Sequence, residues 1–250
     1  MLGVFIGLAS SVTASSQNST DPPKIAEIRV KGNKVLDRSA VIEQSGLKLG
    51  EPCSAVVLES AAEALRETGW YGILDQPAGR DQPVAVTADY SGGHACVRIV
   101  VHEYPIVKKI RVLGSGPLSP GDIRRLIHTK EGGVFNLRTF QGDVSDIRLH
   151  YESLGYQAFV NEGAGFRGGV LTVPITVGRI HALSVVGANK HNGSEISKLA
   201  GIRVGDCYNI RELQRGLTRL YNTGWFEDVS PAFEFKSPGE VEITFKVTEK

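Results

Sequence analysis

Three stretches of this chain read as one corner: an amphipathic helix, a glycine that stops it, one or two aromatics, then a strand. They are LRETGWYGIL at Leu65–Leu74, YESLGYQAFV at Tyr151–Val160 and LYNTGWFEDV at Leu220–Val229. A corner that returns at a fixed period restricts the chain to a tandem array of small units. Other glycines keep the same register. From a first-strand glycine to a turn glycine is 18 residues at Gly32–Gly50, 19 at Gly114–Gly133 and 18 at Gly187–Gly205. From there to the corner glycine the distances are 19, 22 and 19.

Each unit opens on an alternating run, IAEIRVKGN at Ile25, VKKIRVLGS at Val107 and IHALSVVGAN at Ile180, which is strand periodicity. A short helix follows, with Asp37 as cap in the first unit and Ser119-Pro120 as the start in the second. A longer helix comes next, opened by Asn136 in the second unit and Asn209 in the third. Its apolar residues share one face: Leu58, Ala61 and Leu65, then Val144, Ile147 and Tyr151, then Leu213, Leu217 and Leu220. Two strands close each unit. They are Val84–Tyr90 with Cys96–Glu103, Tyr156–Asn161 with Val170–Val177, and Asp228–Phe235 with Val241–Val247.

The expected fold class is therefore α+β. It comprises three tandem βααββ units, each a three-stranded mixed sheet with two helices on one face. The units span 25–105, 106–178 and 179–250. Units of about 70 to 80 residues are marginal alone, so neighbours are expected to support one another. The joins at His102–Ile106 and Val177–Ile180 are tight, which predicts a rod of limited bending. A three-stranded sheet also leaves two edges open to another strand. Pro231 marks its own strand as an edge, where a missing N–H is tolerated.

Residues 1–14 read as a secretory signal, with Leu2–Leu8 apolar and small residues at Val12-Thr13-Ala14. The apolar run is too short to span a bilayer, and no Lys or Arg precedes it. Residues 15–24 read as an extended linker. Asn18 and Asn192 sit in short glycosylation patterns that matter only in a eukaryotic host. A net charge of +1 supplies no field to attract nucleic acid. Cys53, Cys96 and Cys207 fit no metal spacing. Cys53 and Cys96 share a unit and could pair, but the favoured reading is small buried hydrophobes.

No set of residues carries enzyme chemistry. The six histidines are scattered singly, with no HExxH. There is no GxSxG elbow and no Walker sequence, and Gly114-Ser-Gly116 reads as a turn. Asp143 and Asp146 lie three apart on what reads as a polar helix face. Neither a metal, a cofactor nor a small-molecule substrate is expected.

The succession V-x-G-N, G-L-x-x-G, and an amphipathic helix ending L-Y-x-x-G-[WY]-[FY] before two strands resembles the POTRA (polypeptide-transport-associated) domain. The third unit matches best and the second lacks the Trp. The resemblance covers Ile25–Lys250 and is strongest to the periplasmic arrays of BamA-type outer-membrane assembly factors. It implies periplasmic domains, associated with the outer membrane, that handle unfolded outer-membrane proteins and dock barrel-assembly proteins or lipoproteins. It also implies that the second strand of each unit is the edge used for strand addition. The candidate edge residues are Tyr156, Ala158, Val160, Val229, Pro231, Ala232, Phe233 and Phe235, and proline at Ala232 is the expected way to weaken client binding without unfolding. Arg211, Arg215 and Arg219, four apart on one helix, are candidates for lipid headgroups or an acidic partner, although a merely solvated face is the favoured reading. The aromatics Trp225, Phe226, Phe233 and Phe235 read mostly as core, with one exposed ring able to hold a client. The sequence departs from the family in carrying no set of alternating barrel strands. Envelope scaffolding without client handling, as in division-type POTRA proteins, is the alternative, as is an N-terminal fragment of a barrel-bearing factor.

Overall fold

The computed structural model describes residues 22–73, 82–160 and 165–250. The expected signal, most of the linker, and parts of the expected loop before Val84 and the strand ending at Asn161 lie outside the described residues. The first unit contains β1 (Lys24–Lys31), α1 (Arg38–Ser45), α2 (Ala55–Glu67), β2 (Val84–Ser91) and β3 (His94–Val101). The second contains β4 (Lys109–Leu113), α3 (Pro120–Leu126), α4 (Leu137–Ser153), β5 (Ala158–Val160), β6 (Phe166–Arg167) and β7 (Val170–Val177). The third contains β8 (Arg179–Val186), α5 (Gly193–Ala200), α6 (Ile210–Asn222), β9 (Phe226–Ser237) and β10 (Glu240–Glu249).

In every unit the last strand is central. The sheet orders are β1-β3-β2, β4-β7-β5 with β6 also on β7, and β8-β10-β9. The first strand runs parallel to the central one and the middle strand antiparallel to it. Alternation along the central strand explains the layers. Ala95, Val97, Ile99 and Val101 of β3 and Val241, Ile243, Phe245 and Val247 of β10 all turn inward and are buried. The helices cover that face with Ala61, Ala62 and Leu65 of α2, and with Leu213 and Leu220 of α6. Each large side chain taken out of water contributes about 1.5–3 kcal/mol, and each unit has its own buried cluster.

The V-x-G signature has a steric cause. A Cβ on Gly32 would meet the Val101 carbonyl oxygen, and one on Gly187 the Val247 carbonyl oxygen. The first strand therefore leaves the sheet by passing against the backbone of the central strand, which only glycine permits. Once past it, the chain is caught by a carboxylate. Glu103 accepts the N–H groups of Lys34, Val35 and Leu36, and Glu249 those of Asn189, Lys190 and His191.

Several expectations need correction. The turn glycine of the second unit is Gly132, not Gly133. Gly132 N–H donates to Val107 O, as Gly50 N–H does to Ile25 O and Gly205 N–H to Ile180 O, so the first spacing is 18 in all three units. Asp37 precedes α1, but its side chain makes no capping bond. Cys53 is in the buried cluster of the first unit, whereas Cys96 alternates with the core residues of β3 and faces the other way, near Glu27. The two thiols are on opposite sides of the sheet and are free. Asp143 is not on a polar face: it is 1% exposed and accepts from His128 N–H at 2.6 Å, Thr129 N–H at 3.0 Å and the Thr129 hydroxyl. It holds the turn between α3 and α4.

Candidate functional site

The backbone phase of β9 decides what its open edge offers. Arg179 N–H donates to Gly239 O and Lys250 N–H to Trp225 O. Alternation then turns the odd-numbered peptide groups of β10 toward β8 and the even-numbered ones toward β9. Through the register Thr244↔Ala232 and Phe245↔Pro231, Ser230, Ala232 and Glu234 pair with β10. Val229, Pro231, Phe233 and Phe235 turn their backbone groups away from β10. Val229 is buried, and its N–H donates to the Tyr221 hydroxyl while its carbonyl accepts from it, so the edge open to a partner is Pro231, Phe233 and Phe235. Pro231 is thus placed where no ladder bond is lost, and it leaves a gap in the row of edge donors. Ala232, by contrast, faces inward, so proline there would break the native ladder.

On the side-chain level the edge carries aromatics. Phe233 is 50% exposed. Its ring is 5.9 Å from Tyr208 and 6.2 Å from Phe235, and Phe235 reaches Phe159 of the second unit at 6.3 Å. Phe226 is core and Trp225 stacks on His191 at 3.8 Å.

The second-unit edge begins later than its sequence suggests, at Ala158. Thr172 N–H donates to Gly165 O and Gly178 N–H to Gln157 O, so the even positions of β7 face the edge strand. Pro174 is one of them and has no N–H to give. Among the described residues, β5 pairs with β7 from Val177 to Ile175 and β6 with Leu171 and Val170. Ala158 and Val160 keep outward backbone groups. Tyr156 does not belong to this edge, because it forms an antiparallel bridge with Asn209 of the third unit.

The remaining second strand is β2, for which the sequence reading named no edge residues. His102 N–H donates to Pro83 O, which turns even-numbered positions of β3 toward β2. With Val100↔Ala85 and Ile99↔Val86, the backbones of Val84, Val86, Ala88 and Tyr90 point outward. Val84 is fully buried, so the row open to a partner is Val86, Ala88 and Tyr90, and no proline interrupts it.

The arginine stripe is divided among three tasks. Arg211 donates to Ser153 O of the second unit. Arg219 donates to Leu199 O and Ala200 O, closing the C-terminal end of α5. Arg215 pairs with Glu212 and stays 65% exposed on its side chain.

The units meet through a repeated joint that was not foreseen. Asn136 accepts Thr139 N–H on Oδ1, capping α4, and its Nδ2 donates to Thr68 O at 2.9 Å; Leu137 N–H donates to Gly69 O at 2.8 Å. One unit later, Asn209 caps α6 through Arg211 and Glu212 N–H and donates to Leu154 O at 3.0 Å, while Ile210 N–H donates to Gly155 O at 2.9 Å. The available signal is the triplet aromatic-Asn-aliphatic at 135–137 and 208–210, which in the first unit is Cys53-Ser54-Ala55.

Comparison with known proteins agrees with this architecture. The POTRA family model, described as "Surface antigen variable number repeat", matches residues 105–177 and 178–250. The outer membrane protein assembly factor BamA of Nitratidesulfovibrio vulgaris is 22% identical over 132 residues, 53% of this chain but 15% of that protein. The N-terminal domain of Omp85 from Thermosynechococcus elongatus superposes with a TM-score of 0.75 at 21% identity, covering 91% of this chain and 97% of that one. POTRA1-3 of the periplasmic domain of Omp85 from Anabaena gives 0.69 at 20% identity, covering 92% and 97%. Among the described residues, no helix is long and apolar enough to cross a membrane.

Proposed function

The chain belongs to the POTRA family, and on that premise we propose that it is a periplasmic, non-enzymatic array that binds unfolded outer-membrane protein segments by β-strand addition during their assembly or transport. The observation that supports this reading best is the backbone phase at the sheet edges. β2 offers Val86, Ala88 and Tyr90 in an unbroken row, and β9 offers Phe233 and Phe235 beside the gap at Pro231. An extended client pairing with such an edge gains main-chain hydrogen bonds whatever its sequence, which suits many clients at modest affinity. Phe233 adds an exposed ring beside that edge, able to cover alternate apolar side chains of the client.

Barrel-assembly proteins or lipoproteins are the proposed partners. The contact with lipid headgroups or an acidic partner expected of the arginine stripe narrows to Arg215, since Arg211 and Arg219 direct donors to backbone carbonyls.

The test is binding of a labelled peptide copied from a transmembrane strand of an outer-membrane barrel. Proline at Val86 in β2 together with proline at Phe233 in β9 should abolish binding while circular dichroism stays native. Alanine at both positions should retain most of it. A folded double-proline variant that binds as well as the parent overturns strand addition.

A further inference from the structure

The corner of the third unit repeats that of the first in its atoms. Thr68-Gly69-Trp70 and Thr223-Gly224-Trp225 are the same three residues. In both, the threonine hydroxyl donates to the carbonyl three residues back and accepts the tryptophan N–H. In both, the tryptophan carbonyl accepts a backbone N–H from just past the central strand, that of Tyr104 in the first and of Lys250 in the third.

The two corners differ in what covers them. Gly69 and Gly155 are buried, and an atom added to either would meet the Asn136 or Asn209 Oδ1 of the next unit at 2.8 and 2.7 Å. Gly224 is exposed, and an added atom would meet nothing within 4 Å. Among the described residues, the Thr223 and Gly224 carbonyls receive no donor, although their counterparts Thr68 and Gly69 receive the Asn136 side-chain amide and the Leu137 N–H.

We propose that Thr223-Gly224-Trp225 is the receiving half of a third joint, whose occupant is a further βααββ unit with asparagine at the start of its second helix. The recognition chemistry is one side-chain amide donor and one backbone N–H, delivered together by a helix N-terminus. A second copy of this chain has no free asparagine at the start of a second helix; Asn192 caps a first helix, α5. Asn136 and Asn209 are engaged within the chain, and Ser54 holds the equivalent place in the first unit with a hydroxyl that accepts from Val57 N–H. The joint is independent of strand addition, since it uses the corner and not the edge of the sheet.

A graft tests it. Residues 105–178 placed directly after Lys250 follow it as they follow Tyr104, and they contain no tryptophan. In a Trp70→Phe background, Trp225 is then the only tryptophan. Docking should shield Trp225 from acrylamide several-fold relative to the ungrafted chain and slow exchange of the Leu137 amide in the appended copy. Asn136→Asp in the appended copy keeps the helix cap and removes the amide donor, so it should reverse both effects. A second graft, residues 178–250 with its own tryptophan changed to Phe, presents Asn209 in the same way. Trp225 left quenchable in both grafts overturns the proposal, as does shielding that survives the Asn→Asp change.

Discussion

Asn136 joins two units through one side chain: its amide donates to the Thr68 carbonyl at 2.9 Å while its oxygen caps α4. The two roles use different atoms, so they separate by mutation. Asn and Asp are nearly equal as caps, whereas only Asn has an N–H to give. Asn136→Asp should therefore keep the α4 cap while setting a carboxylate oxygen against the Thr68 carbonyl, so its cost falls on the joint and not on the helix. It should loosen the joint, with the Leu137 amide exchanging at least about tenfold faster. Small-angle scattering should show a broader distribution of inter-unit angles. Unchanged exchange at Leu137 would mean that hydrophobic contact, such as Tyr104 against Phe135 at 5.2 Å, fixes the joint by itself.

Pro231 predicts an effect of opposite sign to most substitutions. Proline on an edge strand blunts it against unwanted pairing. Pro231→Val restores an outward N–H and one client bond, worth about 1 kcal/mol or roughly fivefold in affinity. The same change should promote self-association, visible by sedimentation at high concentration. Ala232→Pro should behave differently, because it removes an inward donor and costs about 2 kcal/mol of stability. If Ala232→Pro is as stable as the parent, the phase assigned to β9 is wrong.

Asp143→Ala should be the most damaging polar substitution in the second unit. It leaves two backbone N–H groups and a threonine hydroxyl without their acceptor in a buried turn, at a cost of about 3 kcal/mol. Asp146→Ala, three residues away and exposed, should be nearly neutral. Chemical denaturation of the two variants compares them directly.

The repeat, the order of elements and the helix faces were legible because they rest on periodicity and on glycines that steric contact demands. Gly32 and Gly187 are such residues, fixed by the Val101 and Val247 carbonyls. What stayed hidden depends on through-space pairing. Asp143 looks like any surface aspartate of a helix until the turn at His128 folds over it. Asn136 reads as a cap, and its second bond crosses to another unit. Pro174 and Pro231 each mark a side of a strand, but which side follows only from the hydrogen bonds at the ends of the ladder. One missed feature did leave a trace. Glu103 and Glu249 both stand at the end of the central strand in a Val-x-Glu triplet, whereas the second unit has Val177-Gly178-Arg179.

That carboxylate gives the third unit a pH dependence. Desolvation raises the Glu249 carboxyl, but the N–H groups of Asn189, Lys190 and His191 outweigh it and hold the group below its ordinary value of 4.5. In the unfolded chain these bonds are gone, so that chain takes up the proton first as the pH falls. The stabilisation is complete above the ordinary value and is lost as pH descends through the depressed one. Glu249→Gln should therefore lower stability at pH 7 and converge with the parent toward pH 3. Since the carboxyl is exposed to solvent, salt should shrink the difference. Denaturant melts across this range, followed by Trp225 fluorescence in a Trp70→Phe background, read the third unit alone. Parent and variant curves that stay parallel from pH 7 to pH 3 would show that the loop after β8 is held by packing and not by this carboxylate.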